Sequence, residues 1–164
     1  MNWSKKGIVF NANNHSQWAY RGAMIPTPVE IDHETIRLFL TFKDKKGIGR
    51  VGYIDLEKSN LFKIKGISSS PLIDIGNPGT FDDNGVLLCS VTKTEENNYH
   101  FYYAGFEIGT KTRYRLFTGL SITDQRFKLR KKFNAPVLDR TEEELHFRCG
   151  PFCKFENGTF KMWY

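Results

Sequence analysis

Residues 86–106 read VLLCSVTKTEENNYHFYYAGF, and the nature of this stretch decides the fold. Val86, Leu87, Leu88, Cys89 and Val91 make an apolar run of strand length, too apolar for an exposed hairpin arm, so it reads as an inner strand. A polar turn follows, then a strand rich in aromatics. Just upstream, "NPGTFDDNG" (77–85) places Asp82 and Asp83 at the mouth of the run. Asp and Asn favour turns by bonding their own backbone, so a turn accounts for them locally.

Working outward, the same pair of strands recurs. "IPTPVEIDHETIRLFL" (25–40) lies without gaps on "CGPFCKFENGTFKMWY" (149–164). The segments that come next also correspond. "RVGYIDL" (50–56) resembles "FTGLSIT" (117–123), with Gly52 opposite Gly119. "SPLIDIG" (70–76) resembles "APVLDRT" (135–141), with Pro71 opposite Pro136 and Asp74 opposite Asp139. The unit is an inner strand, a hairpin turn, an aromatic strand, a glycine-bearing strand and an outer connection. Short antiparallel strands repeated in this order predict an all-β fold, a β-propeller of four-stranded antiparallel blades. A β-sandwich is the competing arrangement, and the long repeat disfavours it. The units run over roughly 18–76, 77–141 and an incomplete 142–164, about two and a half blades of an expected five. Propellers close with at least about four blades. The expected partners of the domain are therefore further blades of the same chain, or copies of it.

At 164 residues and 40% hydrophobic, the chain can build one domain with a real core. No stretch approaches the roughly 20 apolar residues that span a bilayer, and "MNWSKKGIVF" lacks the apolar core of a secretory signal. A soluble, cytoplasmic protein without membrane partners is the expectation. The three cysteines, Cys89, Cys149 and Cys153, form no Cys-x-x-Cys pair. On one predicted strand Cys149 and Cys153 stand about 13 Å apart, too far for a disulfide. Free buried thiols are expected. The net charge of +6 is concentrated at Lys128, Arg130, Lys131 and Lys132. No nucleic-acid motif accompanies that cluster, which reads as a solvated face. His15 and His146 are weak acid–base candidates, since a lone His is more often structural, and His33 and His100 form no metal-ligand spacing with the cysteines, so neither metal nor cofactor is expected. "GIG" (47–49) reads as a hairpin turn, since no helix follows it. Tyr102, Tyr103 and Phe106 should alternate between core and surface.

With these words in place, the sequence resembles the five-bladed β-propeller glycosidases, glycoside hydrolase family 43 and its relatives. Within them it resembles a bacterial branch associated with polysaccharide biosynthesis. The resemblance rests on "PTPV", "GRVGYIDL", "SPLIDIGNPGTFDDNGV", "YYAGFE", "YRLFTGLSIT" and "MWY", and covers the chain from about Trp18. It implies a sugar-binding funnel at the starts of the inner strands, with Asp83 as the acidic residue there and Asp82 as its alternative. Glycosidases of this kind use a pair of carboxyls. The first unit's start, "YRGAMIPTP", has no carboxylate, and in "HFRCGPF" Cys149 takes the place of the general acid. Arg21, Arg115 and Arg148 stand near these starts, and with Glu107 they are the substrate-binding candidates. A guanidinium fork suits carboxylate or phosphate, so the implied ligand is a carbohydrate, including a nucleotide sugar. Two functions follow as expectations: a glycoside hydrolase-like protein, or a non-catalytic propeller that binds sugar or protein.

Overall fold

A computed structural model describes residues 2–164. The described residues are all-β, half strand and without helix, and the sheets curl in the manner of half a barrel. Strands β1 (Arg21–Glu30), β2 (Thr35–Lys43), β3 (Gly49–Glu57) and β4 (Asn60–Ile67) pair in chain order as an antiparallel sheet. Strands β5 (Val86–Lys93), β6 (Tyr99–Ile108), β7 (Tyr114–Thr123) and β8 (Leu129–Lys132) repeat that order in a second sheet. The short β9 (Phe147–Arg148) joins β7 in parallel, and β10 (Phe152–Glu156) and β11 (Thr159–Trp163) form a separate hairpin. Asn157 and Gly158, both at positive φ, turn that hairpin; a two-residue Asn-Gly loop matches the twist of the flanking strands.

The repeat written in the sequence is a repeat of backbone pairing. Val51 bridges Ile73, and Thr118, its counterpart, bridges Leu138. The amide of Leu72 donates to Val51 O at 2.8 Å, and that of Val137 to Thr118 O at 2.8 Å. Gly52 and Gly119 lie on the equivalent third strands for a shared reason. A Cβ at Gly119 would fall 2.3 Å from the Tyr103 ring, and one at Gly52 would fall 2.4 Å from Trp18. Each glycine is where an aromatic side chain crosses the sheet.

Four layers stack against one another. Residues from Val9 to Ala19 cover the outer face of the first sheet, packing Ala12, Ala19 and Trp18 on Leu40, Phe42, Ile54 and Leu56. Between the two sheets lie Phe39, Val51, Val86, Leu88, Phe101, Tyr103 and Phe117, all fully buried. Phe39 meets Phe101 edge to face, with centroids 4.8 Å apart. On the far side of the second sheet, Tyr102 and Leu120 pack on Cys153 and Met162 of the hairpin. The second sheet is therefore buried on both faces. That corrects the expected alternation on β6: Tyr102 and Tyr103 are both buried, in different cores. It also explains why β5 is a continuous apolar run, the pattern of a strand covered on both sides.

Two further expectations are corrected. Cys149 and Cys153 do not share a strand, because the chain turns at Gly150 (φ +78°) and Pro151 between β9 and β10. The fourth strand of the first unit is Asn60–Ile67, and 70–76 continues along the same edge with a single bridge. Among the described residues, no helix is long and apolar enough to cross a membrane.

Candidate functional site

Asp82 and Asp83 precede β5 on a loop that returns from the first sheet. The side chain of Asp82 is 1% exposed. Its Oδ2 accepts from the Tyr103 hydroxyl at 2.9 Å and lies 2.8 Å from Lys132 Nζ; its Oδ1 accepts from the Thr80 hydroxyl at 2.9 Å. Lys132 also donates to Asp74 O at 2.7 Å, tying the loop to the edge strand β8. Burial, and then the Asp82 charge, push the Tyr103 pKa upward, so its hydroxyl remains a donor. Gly105 and Gly76 leave room for the carboxylate: a Cβ at Gly105 would stand 2.7 Å from the Asp82 Cβ, and one at Gly76 would stand 2.1 Å from its Oδ1. Every oxygen of Asp82 is thus engaged inside the protein. Lys132, grouped by sequence with solvated cations, is the partner of this buried charge.

Asp83 is half-buried. Its Oδ2 accepts from the Gly79 amide at 2.8 Å, and its Oδ1 accepts from the Asn84 side chain. That is the local turn bonding expected of an Asp here. Asn84 and Gly85 are then pinned to β6 by the Phe106 O and Phe106 N contacts at 3.3 and 3.0 Å.

The remaining candidates separate into two groups. Glu107 lies 3.3 Å from Arg115 and 2.9 Å from Arg140, so Arg115 and Glu107 neutralise each other at the end of β6. Arg148 donates to Asp139 O at 2.7 Å and to the Tyr164 hydroxyl at 2.6 Å, and its Nε lies 2.9 Å from Glu144. The Tyr164 hydroxyl, ahead of Glu144, raises the pKa of this guanidinium. Arg148 thereby brings a carboxylate, Glu144, to the start of the third unit, where the sequence offers Cys149. The only sequence signal for it is the four-residue spacing in "ELHFR". Cys149 is half-buried, and burial raises its pKa. Burial, with a smaller push from Cys149, raises the Cys89 thiol to about 11.

Arg21 alone among the candidate arginines has no ion pair among the described residues. Its guanidinium lies beside the β2–β3 turn, 3.2 Å from where a Cβ of Gly47 would be. Gly47 and Asn84 line two adjoining cavities, of about 90 and 360 Å³, which open between the two sheets. The start of β1 and the start of β5 therefore meet at one cleft. A larger hollow of about 580 Å³ lies around the β1–β2 and β3–β4 turns, but its cations are taken up. Lys58 pairs with Glu30, and Lys65 lies 3.9 Å from Glu34. Among the described residues, no group of three or more His, Cys, Asp or Glu is placed to hold a metal ion.

No protein-family model matches the chain. It is similar to two uncharacterized proteins of Mycobacterium tuberculosis: Rv1502 of strain ATCC 25618 / H37Rv and MT1551 of strain CDC 1551 / Oshkosh. Each is 24% identical to it over 164 residues, covering 100% of this chain and 54% of the relative. The chain thus spans about half the length of these curated relatives.

Proposed function

We propose that the chain is part of a β-propeller that binds a carbohydrate, in free or activated form, at the strand starts, and is glycoside hydrolase-like in architecture. The observation that carries this reading is the meeting at one cleft of the start of β1, through Met24, and the start of β5, through Asn84 beside Asp83, with Arg21 lying against the cleft's Gly47 wall. Its support from the fold is the recurrence of a four-stranded antiparallel unit with equivalent bridges at Val51 and Thr118. In this reading Asp83 orients a sugar hydroxyl, a role open to a half-buried carboxylate next to the cleft-lining Asn84. Further propeller blades, or a second copy, complete the ring, and the protein acts in the cytoplasm.

The engagement of Asp82 by Tyr103, Lys132 and Thr80 favours binding without hydrolysis as the second reading. A glycosidase needs two carboxyls about 5–5.5 or 6.5–9.5 Å apart across the scissile bond, and Asp82 is not free to be one of them. Glu144 is the carboxylate that would have to serve. Saturation-transfer NMR against a panel of monosaccharides, oligosaccharides and nucleotide sugars tests the proposal. Binding that disappears in Asp83→Asn supports it, and no binding across the panel sinks it. Release of reducing sugar, lost in Glu144→Gln, would select hydrolysis over binding alone.

A further inference from the structure

The cleft walled by Gly47, against which Arg21 lies, has a charge pattern of its own. Its larger part is bounded by Lys46, Gly47 and Ile48 of the β2–β3 turn, and by Arg113 and Tyr114 at the start of β7. Its smaller part reaches inward past Lys43 and Gly49 to Val86. Among the described residues, no Asp or Glu lines either part. Among the described residues, Lys43, Lys46, Arg113 and Arg21 have no carboxylate partner, although most other cations of both sheets do. Lys43, Lys46 and Arg113 line the cleft and Arg21 lies against its wall; like charges gathered at one cleft repel, and an anion placed among them relieves that cost.

The walls are also rigid. Asp44 fixes the β2–β3 turn: its Oδ1 accepts from the Ile48 amide at 2.9 Å and its Oδ2 pairs with Arg50 at 2.7 Å. Gly47 holds φ +88°, and its missing side chain is what lets the Arg21 guanidinium lie against the turn. In the same lining, Phe106 and Tyr114 present tilted rings with centroids 5.9 Å apart. Tyr114 is 42% exposed. The Asn84 carboxamide stands at the junction of the two parts.

We infer that this cleft binds a phosphate ester of a sugar, with the phosphate held by Lys46 and Arg113 and the sugar ring against Phe106 and Tyr114. The inference rests on the carbohydrate reading above and narrows it to phosphorylated sugars. Arg113 supplies the planar fork and Lys46 the point charge, the pairing that charge-assisted binding of phosphate uses. Aromatic rings supply the apolar platform for a ring substrate, and Asn84 offers both donor and acceptor to a sugar hydroxyl.

The test titrates the 164-residue chain with glucose 1-phosphate, UDP-glucose, glucose and inorganic phosphate. Calorimetry gives affinity, and amide chemical shifts give position. Both esters are expected to bind and to shift the amides of Gly47 and Asn84. Glucose and inorganic phosphate are each expected to bind at least about tenfold more weakly. Lys46→Gln with Arg113→Gln, both exposed side chains, should weaken the esters by at least about tenfold and leave the melting curve unchanged. UDP-glucose binding the tighter of the two esters marks a nucleotide sugar, and glucose 1-phosphate the tighter marks a simple sugar phosphate. Glucose bound as tightly as its phosphate overturns this inference and leaves the carbohydrate reading standing. Ester binding undiminished in the double variant overturns it as well. Inorganic phosphate bound as tightly as the esters removes the sugar from the site. Absence of binding by all four at millimolar concentration removes the inference and counts against the carbohydrate reading too.

Discussion

Asp82 and Asp83 are neighbours in the chain with opposite surroundings. Removing one partner of a buried pair leaves the other charge uncompensated, at a cost of about 3–5 kcal/mol. Asp82→Ala should therefore lower stability by roughly that amount in urea unfolding, since Lys132, only 17% exposed, would keep just Asp74 O. Asp83→Asn keeps an acceptor for the Gly79 amide and should stay within about 1 kcal/mol of the parent, while abolishing sugar binding. Equal losses from both substitutions would contradict the assignment of Asp82 as an anchor. Cys89 makes a prediction of its own. With its thiol raised to about 11, iodoacetamide should react with it along a pH curve that inflects near there, not near the ordinary value of about 8.5. Unfolding in urea should restore the ordinary curve. Cys149→Ala should leave ligand binding unchanged, because a half-buried thiol whose pKa is raised by burial supplies neither charge nor a carboxyl.

Strand β5 shows how an element is fixed by more than its own pattern. A bulge at Cys89 breaks its pairing with β6 between Leu88 and Ser90. The freed Leu88 amide donates to Thr41 Oγ1 of the first sheet at 2.8 Å, and Ser90 Oγ accepts from the Cys153 amide at 3.3 Å. One strand is thereby stitched to the layers on both sides. The third strands carry a steric prediction: Gly119→Ala drives a methyl into the Tyr103 ring, displacing the donor to Asp82. Overpacking of this kind costs about 1–3 kcal/mol, readable as a fall in urea midpoint at unchanged slope. The β2–β3 turn carries a pH prediction. Partial burial works against the Asp44 charge, but the Ile48 amide and Arg50 outweigh it and hold the carboxyl below its usual range. A depressed folded pKa gives stability that is complete above the unfolded value of about 3.9 and is lost as pH falls through the folded one. Thermal melts from pH 5 downward should decline, and Asp44→Asn should flatten that decline. An unaltered slope in the variant would show that the acid loss arises elsewhere.

At the scale of the whole molecule, each layer buries one face of the next, so the second sheet is enclosed while the hairpin is covered on one side only. Phe152 and Trp163, 59% and 55% exposed, lie together on its open face with centroids 5.9 Å apart. Clustered exposed aromatics mark a surface that associates. Sedimentation of the chain should show concentration-dependent self-association, reduced by Phe152→Lys with Trp163→Lys. Sedimentation as a monomer at every concentration would show that this face does not pair with a second copy.

The sequence alone determined what depends on near neighbours and on period. The β5 run, the Asn-Gly turn of the hairpin, and the offset linking Gly52 to Gly119 all follow from side-chain alternation, backbone preference and self-similarity. Each can be seen within a window of one unit. Tertiary structure decided what depends on distant partners. Lys132 meets Asp82, fifty positions earlier in the chain, and nothing in "LRKK" sets it apart from its solvated neighbours. Tyr102 and Tyr103 are both buried because a third layer, the hairpin, covers the face of β6 that alternation would have left to water. Lys46 and Arg113, on turns of different sheets, line one cavity only because the sheets pack. Local rules act through bonds and through neighbours a few residues apart, whereas charge pairing and cleft formation depend on distances that only the folded chain sets.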